Sequence, residues 1–371
     1  MAHIERRGPG RWRARFRDPS GRERSKTFTR RSDAEKFLTL IEHSKLIGGY
    51  VDPSAGRVTF ERFSARWLES QTLDPSTREA VESRLRVHLV PAFGDLELRA
   101  IKPSTVQRWL RGAQDRCAPR SARVHLANLS AILGAAVEDG LIPRNPCSSR
   151  AVRAPAVENT RVVPWPANQV AAVIAGHPER WRAVPVVAAG CGLRQGEVFG
   201  LRVEDVDFLG RQLRVRQQVK LLHGQPLLAH PKGRKTRDVP LPDVVALALA
   251  ERLRHYPSVD GLVFTTREHK LVNRTYFNPH VWKPSLVAAG VEPTRANGMH
   301  ALRHFYASAL LEAGTSIRAV ADYLGHQDPG FTLRTYTHLM PTSEDRVRQA
   351  IDGVFDDAPA ASPRPVAVPD G

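Results

Sequence analysis

The chain has 371 residues, 42% of them hydrophobic, with Lys+Arg 55 against Asp+Glu 38 and a formal net charge of +17. That is apolar material for two or three cores, and a basic excess of this size points to a polyanion, nucleic acid first. Three well-separated cysteines (Cys117, Cys147, Cys191) exclude a disulfide framework, and the absence of any run of about 18 apolar residues excludes a membrane helix.

The N-terminus is basic but has no apolar stretch, so no secretory signal is expected, and the protein is expected in a reducing cytoplasm. In Arg11-Trp-Arg-Ala-Arg-Phe-Arg17 the period is two, with Trp12, Ala14 and Phe16 on one face and Arg11, Arg13, Arg15 and Arg17 on the other. Four arginines alternating on one ribbon predict contact with DNA phosphates. Asp18-Pro-Ser-Gly21 supplies a turn, and residues 22–29 read as a return strand. Ser32-Asp-Ala-Glu35 reads as a capping box opening a helix that carries Phe37, Leu38 and Ile41. The stretch 48–56 is linker-like, which sets off residues 1–55 as a small sheet-plus-helix domain.

Residues 56–150 read as helical. Phe60, Phe63 and Trp67 share one helix face, and Ser76-Thr-Arg-Glu79 reads as a second capping box before Val81, Leu85 and Leu89. Val106, Trp109 and Leu110 mark a third helix, and Val124, Leu129, Ile132, Leu133 and Val137 a fourth. These stripes are core; only Arg78, Arg84, Arg120 and Arg123 are candidates for phosphate. A Pro- and Ala-rich linker, 151–166, precedes a third domain over 160–353, where helical patterns flank a β segment at 211–241. The tail, 355–371, has the composition of a disordered segment.

The third domain holds the chemistry. It contains Arg194 in Gly-Leu-Arg-Gln-Gly-Glu197, Lys232 in Pro-Lys-Gly-Arg-Lys, and His300-Ala-Leu-Arg303-His304. It continues with Leu-Gly-His326 and Thr-Tyr336-Thr-His338. Two arginines, a lysine and two histidines make a cradle for a phosphodiester, and a tyrosine hydroxyl can attack one. Glu197, at i+3 from Arg194, is placed to orient it.

This set closely resembles the tyrosine recombinase (phage integrase) family, in detail through the C-terminal half and more loosely elsewhere. The resemblance implies a mainly α fold with small β elements (α+β): an arm-type DNA-binding domain, a helical SAM-like core-binding domain and a mainly helical catalytic domain. It implies a site-specific recombinase of phage or mobile-element origin that integrates or excises DNA through a 3′-phosphotyrosyl bond. Arg194 and Arg303 would clamp the scissile phosphate, Tyr336 attack it, Lys232 protonate the departing 5′ oxygen, and His300 and His326 position and move protons. The implied partners are double-stranded DNA at core and arm sites and three further copies in a tetramer; a directionality factor or host DNA-bending protein fits the same scheme.

Rival readings are weaker. His300 and His304 have i,i+4 spacing for zinc, but Ala301 stands where the zincin motif needs an acid, so no metal is expected, and His304 is expected packed or hydrogen-bonded beneath the site. The glycine-rich turn at Cys191 lacks the Lys-Ser/Thr ending of a nucleotide loop, so no cofactor is implied. A type IB topoisomerase shares the tyrosine chemistry, and a silent DNA-binding regulator could share the fold.

Overall fold

The structure, a computed structural model, describes residues 2–18, 21–46, 55–158, 161–326, 328–336 and 348. Residues 48–54 of the expected linker at 48–56, His338 and the tail lie outside them. The chain divides into two compact units, Met1–Asn159 and Thr160–Gly371.

The first unit opens with an antiparallel sheet of order β1-β2-β3: β1 (His3–Gly8), β2 (Arg11–Arg17) and β3 (Glu23–Phe28). The alternation in β2 is as expected, with Ala14 and Phe16 buried. Strand β1 escapes sequence reading because Ile4 is its one apolar residue. Helix α1 (Arg31–Leu46) packs on the sheet, the Phe37 ring meeting Phe16 at 5.7 Å and Phe28 at 5.2 Å. It starts at Arg31, so Ser32 lies inside the first turn rather than ahead of it, where a capping box would need it.

Then follow α2 (Phe60–Ser70), α3 (Pro75–Arg84), α4 (Val90–Phe93), α5 (Pro103–Gln114) and α6 (Pro119–Glu138). Asp74, not Ser76, caps α3: its carboxylate accepts from Ser76 N at 3.0 Å, and Pro75 fills the first helical position where no N–H is needed. A π turn, Leu85–Leu89, joins α3 to α4 just before Pro91, whose missing N–H interrupts the i→i−4 ladder. Phe60, Phe63, Leu89, Val106, Leu129, Ile132 and Leu133 form one core, but Val124 is exposed, off the stripe expected to hold it.

The second unit begins with α7 (Ala167–Ala175), α8 (Glu179–Cys191) and α9 (Gln195–Phe199). Strands β4 (Val206–Asp207), β5 (Gln212–Val215), β6 (Gln218–Leu222), β7 (Gln225–Ala229) and β8 (Arg237–Pro240) follow. They make an antiparallel sheet β4-β5-β8 and a separate β6-β7 hairpin between β5 and β8. Helices α10 (Asp243–His255), α11 (Arg274–Phe277) and α12 (Lys283–Ala288) lead to α13 (His300–Glu312), α14 (Ile317–Leu324) and α15 (Pro329–Tyr336). Helix α8 is central, packed against α10 and α13. Gly192 ends it at φ +65°, and a Cβ there would meet the Tyr306 ring at 2.4 Å. That tight turn delivers Arg194 to the N-cap of α9.

Candidate active site

Arg194 and Glu197 hold each other. The Glu197 carboxylate accepts from the Arg194 backbone N–H (2.8 Å) and from its guanidinium Nη1 (2.9 Å), closing the first turn of α9. A third residue completes the arrangement. Arg237, on β8, donates to both Glu197 oxygens, at 3.1 and 2.7 Å. Burial would raise the Glu197 carboxyl, which is only 1% exposed, but the bonds and charge of Arg237, then the charge of Arg194, outweigh it and hold its pKa at about 2.

The C-terminal end of α14 gathers three guanidinium groups. Tyr323 O accepts from Arg237 Nε (2.7 Å), Leu324 O from Arg303 Nη2, and Gly325 O from Arg194 Nη2 (3.4 Å). These are carbonyls a helix leaves unpaired at its negative end, so the local dipole favours cations there. Gly325 takes φ +64° as the cap, and a Cβ on it would crowd the Arg237 guanidinium at 3.0 Å. Arg303 Nη1 also donates to Gly192 O at 2.6 Å. Arg303 is 1% exposed, and burial, reinforced by Arg194, draws its pKa down to about 9. Arg194 is the most open of the three.

Helix α13 presents His300, Arg303 and His304 from one turn, with the two histidine rings edge-to-face at 4.7 Å. The packed protein around it and the charges of His304, Arg303 and Arg194 push His300 down to about 4, although its outer edge faces solvent. Burial and then the same arginines take His326 to about 4. His326 follows the α14 cap, and its Nδ1 lies 2.7 Å from the hydroxyl of buried Thr332 on α15. Tyr336 ends α15 at 2% exposure, its hydroxyl 2.6 Å from His304 Nδ1. Burial pushes its phenol up to about 12 against the pull of Arg303.

Arg194, Glu197, His300, Arg303, His326 and Tyr336 are thus brought together from four separate stretches of chain. Lys232 stands exposed on a single turn, Lys232–Arg234, between β7 and β8, and makes no hydrogen bond or ion pair with that set among the described residues. Sequence reasoning misses Arg237. Its signal lies in the strand period, which places it on the face of buried Val239. In the N-terminal sheet Glu5 on β1 approaches Arg13 (3.6 Å) and Arg15 (3.2 Å), and Glu23 pairs with Arg15 at 2.7 Å, so part of the ribbon's charge is already answered. Arg17 donates to Gly21 O at 3.3 Å, and Arg11 is exposed. Among the described residues no group of three or more His, Cys, Asp or Glu is placed to hold a metal, and no helix is long and apolar enough to cross a membrane.

Three family models match the chain in sequence. Residues 3–47 match the phage integrase N-terminal domain, residues 59–112 the phage integrase N-terminal SAM-like domain, and residues 167–342 the phage integrase family domain. The chain belongs to the phage integrase family. The integrase is 28% identical over 355 residues to the putative prophage phiRv2 integrase of Mycobacterium tuberculosis, covering 91% of each chain. Its fold is similar to that of the Tn1549 transposon integrase in complex with transposon right end DNA, with TM-score 0.70 and 18% identity, over 80% of this integrase and 100% of that chain. It is also similar to a lambda integrase tetramer bound to a Holliday junction, with TM-score 0.56 and 18% identity, over 88% and 96% of the two chains.

Proposed function

We propose that this site-specific integrase breaks and rejoins double-stranded DNA through a covalent bond between the Tyr336 oxygen and a 3′ phosphate. The observation that carries the reading is the charge of the cluster that Arg303 links to that hydroxyl. Arg194, Arg237 and Arg303 bring three positive charges, Glu197 returns one, and the histidines, with pKa values near 4, are neutral at pH 7. Two positive charges remain. A phosphodiester has one negative charge, and the five-coordinate arrangement reached during attack gathers toward two on its non-bridging oxygens. The cluster therefore matches the transition state better than the bound diester, which is the condition for catalysis.

In this scheme Arg194 and Arg303 bind the non-bridging oxygens, and Arg237 and Glu197 hold Arg194 in place. His300 and His326 donate or accept at the same oxygens, and Lys232 supplies the proton to the departing 5′ oxygen. Residues 1–55 serve as the arm-binding domain, 56–150 as the core-binding domain and 160–353 as the catalytic domain. The DNA complex of the Tn1549 transposon integrase and the lambda integrase tetramer on a Holliday junction support DNA as substrate and a tetramer as the working assembly. A directionality factor or DNA-bending protein would act on that assembly.

The test uses a nicked duplex built on the direct repeat that flanks the integrated element. Wild type should leave a protein–DNA adduct on a denaturing gel, and Tyr336→Phe should bind the duplex equally and leave none, because one hydroxyl is removed and no cation. An adduct from the variant at wild-type level would move the nucleophile elsewhere.

A further inference from the structure

We propose that His304 is a catalytic residue of this site: it fixes the Tyr336 hydroxyl through Nδ1 and takes up its proton as the phenolic oxygen bonds to phosphorus. The inference rests on Tyr336 as nucleophile. Its ground is the 2.6 Å contact between Nδ1 and the hydroxyl, made by a ring one residue from Arg303 on the same helix. The helix that presents a phosphate-binding guanidinium therefore also presents the partner of the attacking oxygen, so their spacing is set by one rigid element.

The phenol needs such a partner. Tyr336 is 2% exposed, and among the described residues His304 alone hydrogen-bonds its hydroxyl. His304 can accept. Burial and the charge of Arg303 hold it near 4, so at pH 7 the ring is neutral with one lone pair to offer. The groups facing the ring are His300 and Arg303 from its own helix and Tyr336 from α15; among the described residues no titratable side chain of α8 or α14 bonds to it or stacks on it.

Burial raises the phenol and lowers the imidazole, and both shifts oppose a free tyrosinate–imidazolium pair. The proton therefore crosses in step with bond formation. The phenolic O–H breaks, the O–P bond forms, the proton sits on Nδ1, and the P–O5′ bond breaks with its electron pair leaving on the 5′ oxygen, which takes a proton from Lys232. When a 5′ hydroxyl later attacks the phosphotyrosine, its proton passes to the neutral Lys232 amine as the new P–O5′ bond forms, and the imidazolium returns its proton to the departing phenol.

The experiment measures single-turnover adduct formation by the full chain on the same nicked duplex, for wild type and His304→Gln, from pH 6 to 9. Glutamine can still accept the hydroxyl bond but cannot hold the proton. The variant should bind the duplex with wild-type affinity, cleave on the order of 10²-fold more slowly at neutral pH, and gain about tenfold per pH unit, because its phenol must now ionise on its own; wild type should be nearly flat. A fluorinated tyrosine at position 336, being more acidic, should restore much of the variant's rate. A variant with wild-type rate and pH profile, or one that is slow but flat and unrescued by fluorination, overturns the proposal. Adduct formation by Tyr336→Phe would instead remove the nucleophile assignment on which it rests.

Discussion

Glu197 is a small residue to carry so much of the site. It sits between two guanidinium groups in a place water does not reach, and its removal would leave Arg194 and Arg237 uncompensated. Breaking a buried pair from one side costs about 3–5 kcal/mol, so Glu197→Gln should lower the urea-unfolding stability of this unit by that order. The pH dependence has a definite sign. The folded carboxyl titrates near 2, below its ordinary value of 4.5, so the stability it supplies is complete above about 4.5 and disappears as pH falls toward 2. The difference corresponds to about 3 kcal/mol. Urea midpoints measured from pH 6 to pH 2.5 should fall steeply for wild type and less so for Glu197→Gln; parallel curves would show that the carboxylate does not work this way. Sequence spacing makes the Arg194–Glu197 half of this legible, because both lie within one helical turn. Arg237 is not legible as a site residue, since an arginine two positions after Lys235 reads as one more solvated cation. Its burial comes from partners far off in sequence, the Glu197 carboxylate and the Tyr323 carbonyl.

Among the elements, β1 changes the reading of the N-terminal sheet. The arginines of β2 are plain from their alternation, but Glu5, which answers two of them, lies on a strand with one apolar residue and no visible period. Arg11 and Arg17 keep more of their exposure than Arg13 and Arg15. If the ribbon binds DNA, removing residues 1–55 should flatten the dependence of binding on salt for arm-containing duplexes, by about 0.9 in log–log slope for each phosphate that the truncated protein no longer neutralises. Binding to a core-site duplex should be spared. Equal slopes with and without the segment would take the arm role away from this sheet. Helix boundaries show the same limit of sequence reading: Asp74 caps α3 because Pro75 must occupy the first helical position, a local steric fact that outranks the Ser-x-x-Glu pattern two residues on.

For the whole molecule, the two units have separate hydrophobic cores, one built from Phe60 to Ile142 and the other from Trp165 to Tyr336. Scanning calorimetry should accordingly resolve two transitions, and Glu197→Gln should move one of them and leave the other in place. A single transition that shifts as a whole would mean that the cores unfold together. The burial of Tyr336 has a last consequence under the proposed chemistry. An aryl phosphate ester is an activated bond, and water, the most concentrated nucleophile in the cell, would hydrolyse it if it had access. A phenol only 2% exposed leaves little room for that competitor. The strand break then stays reversible, waiting for the hydroxyl of another strand, and the protein behaves as a ligating transferase where a wetter pocket would have made a nuclease.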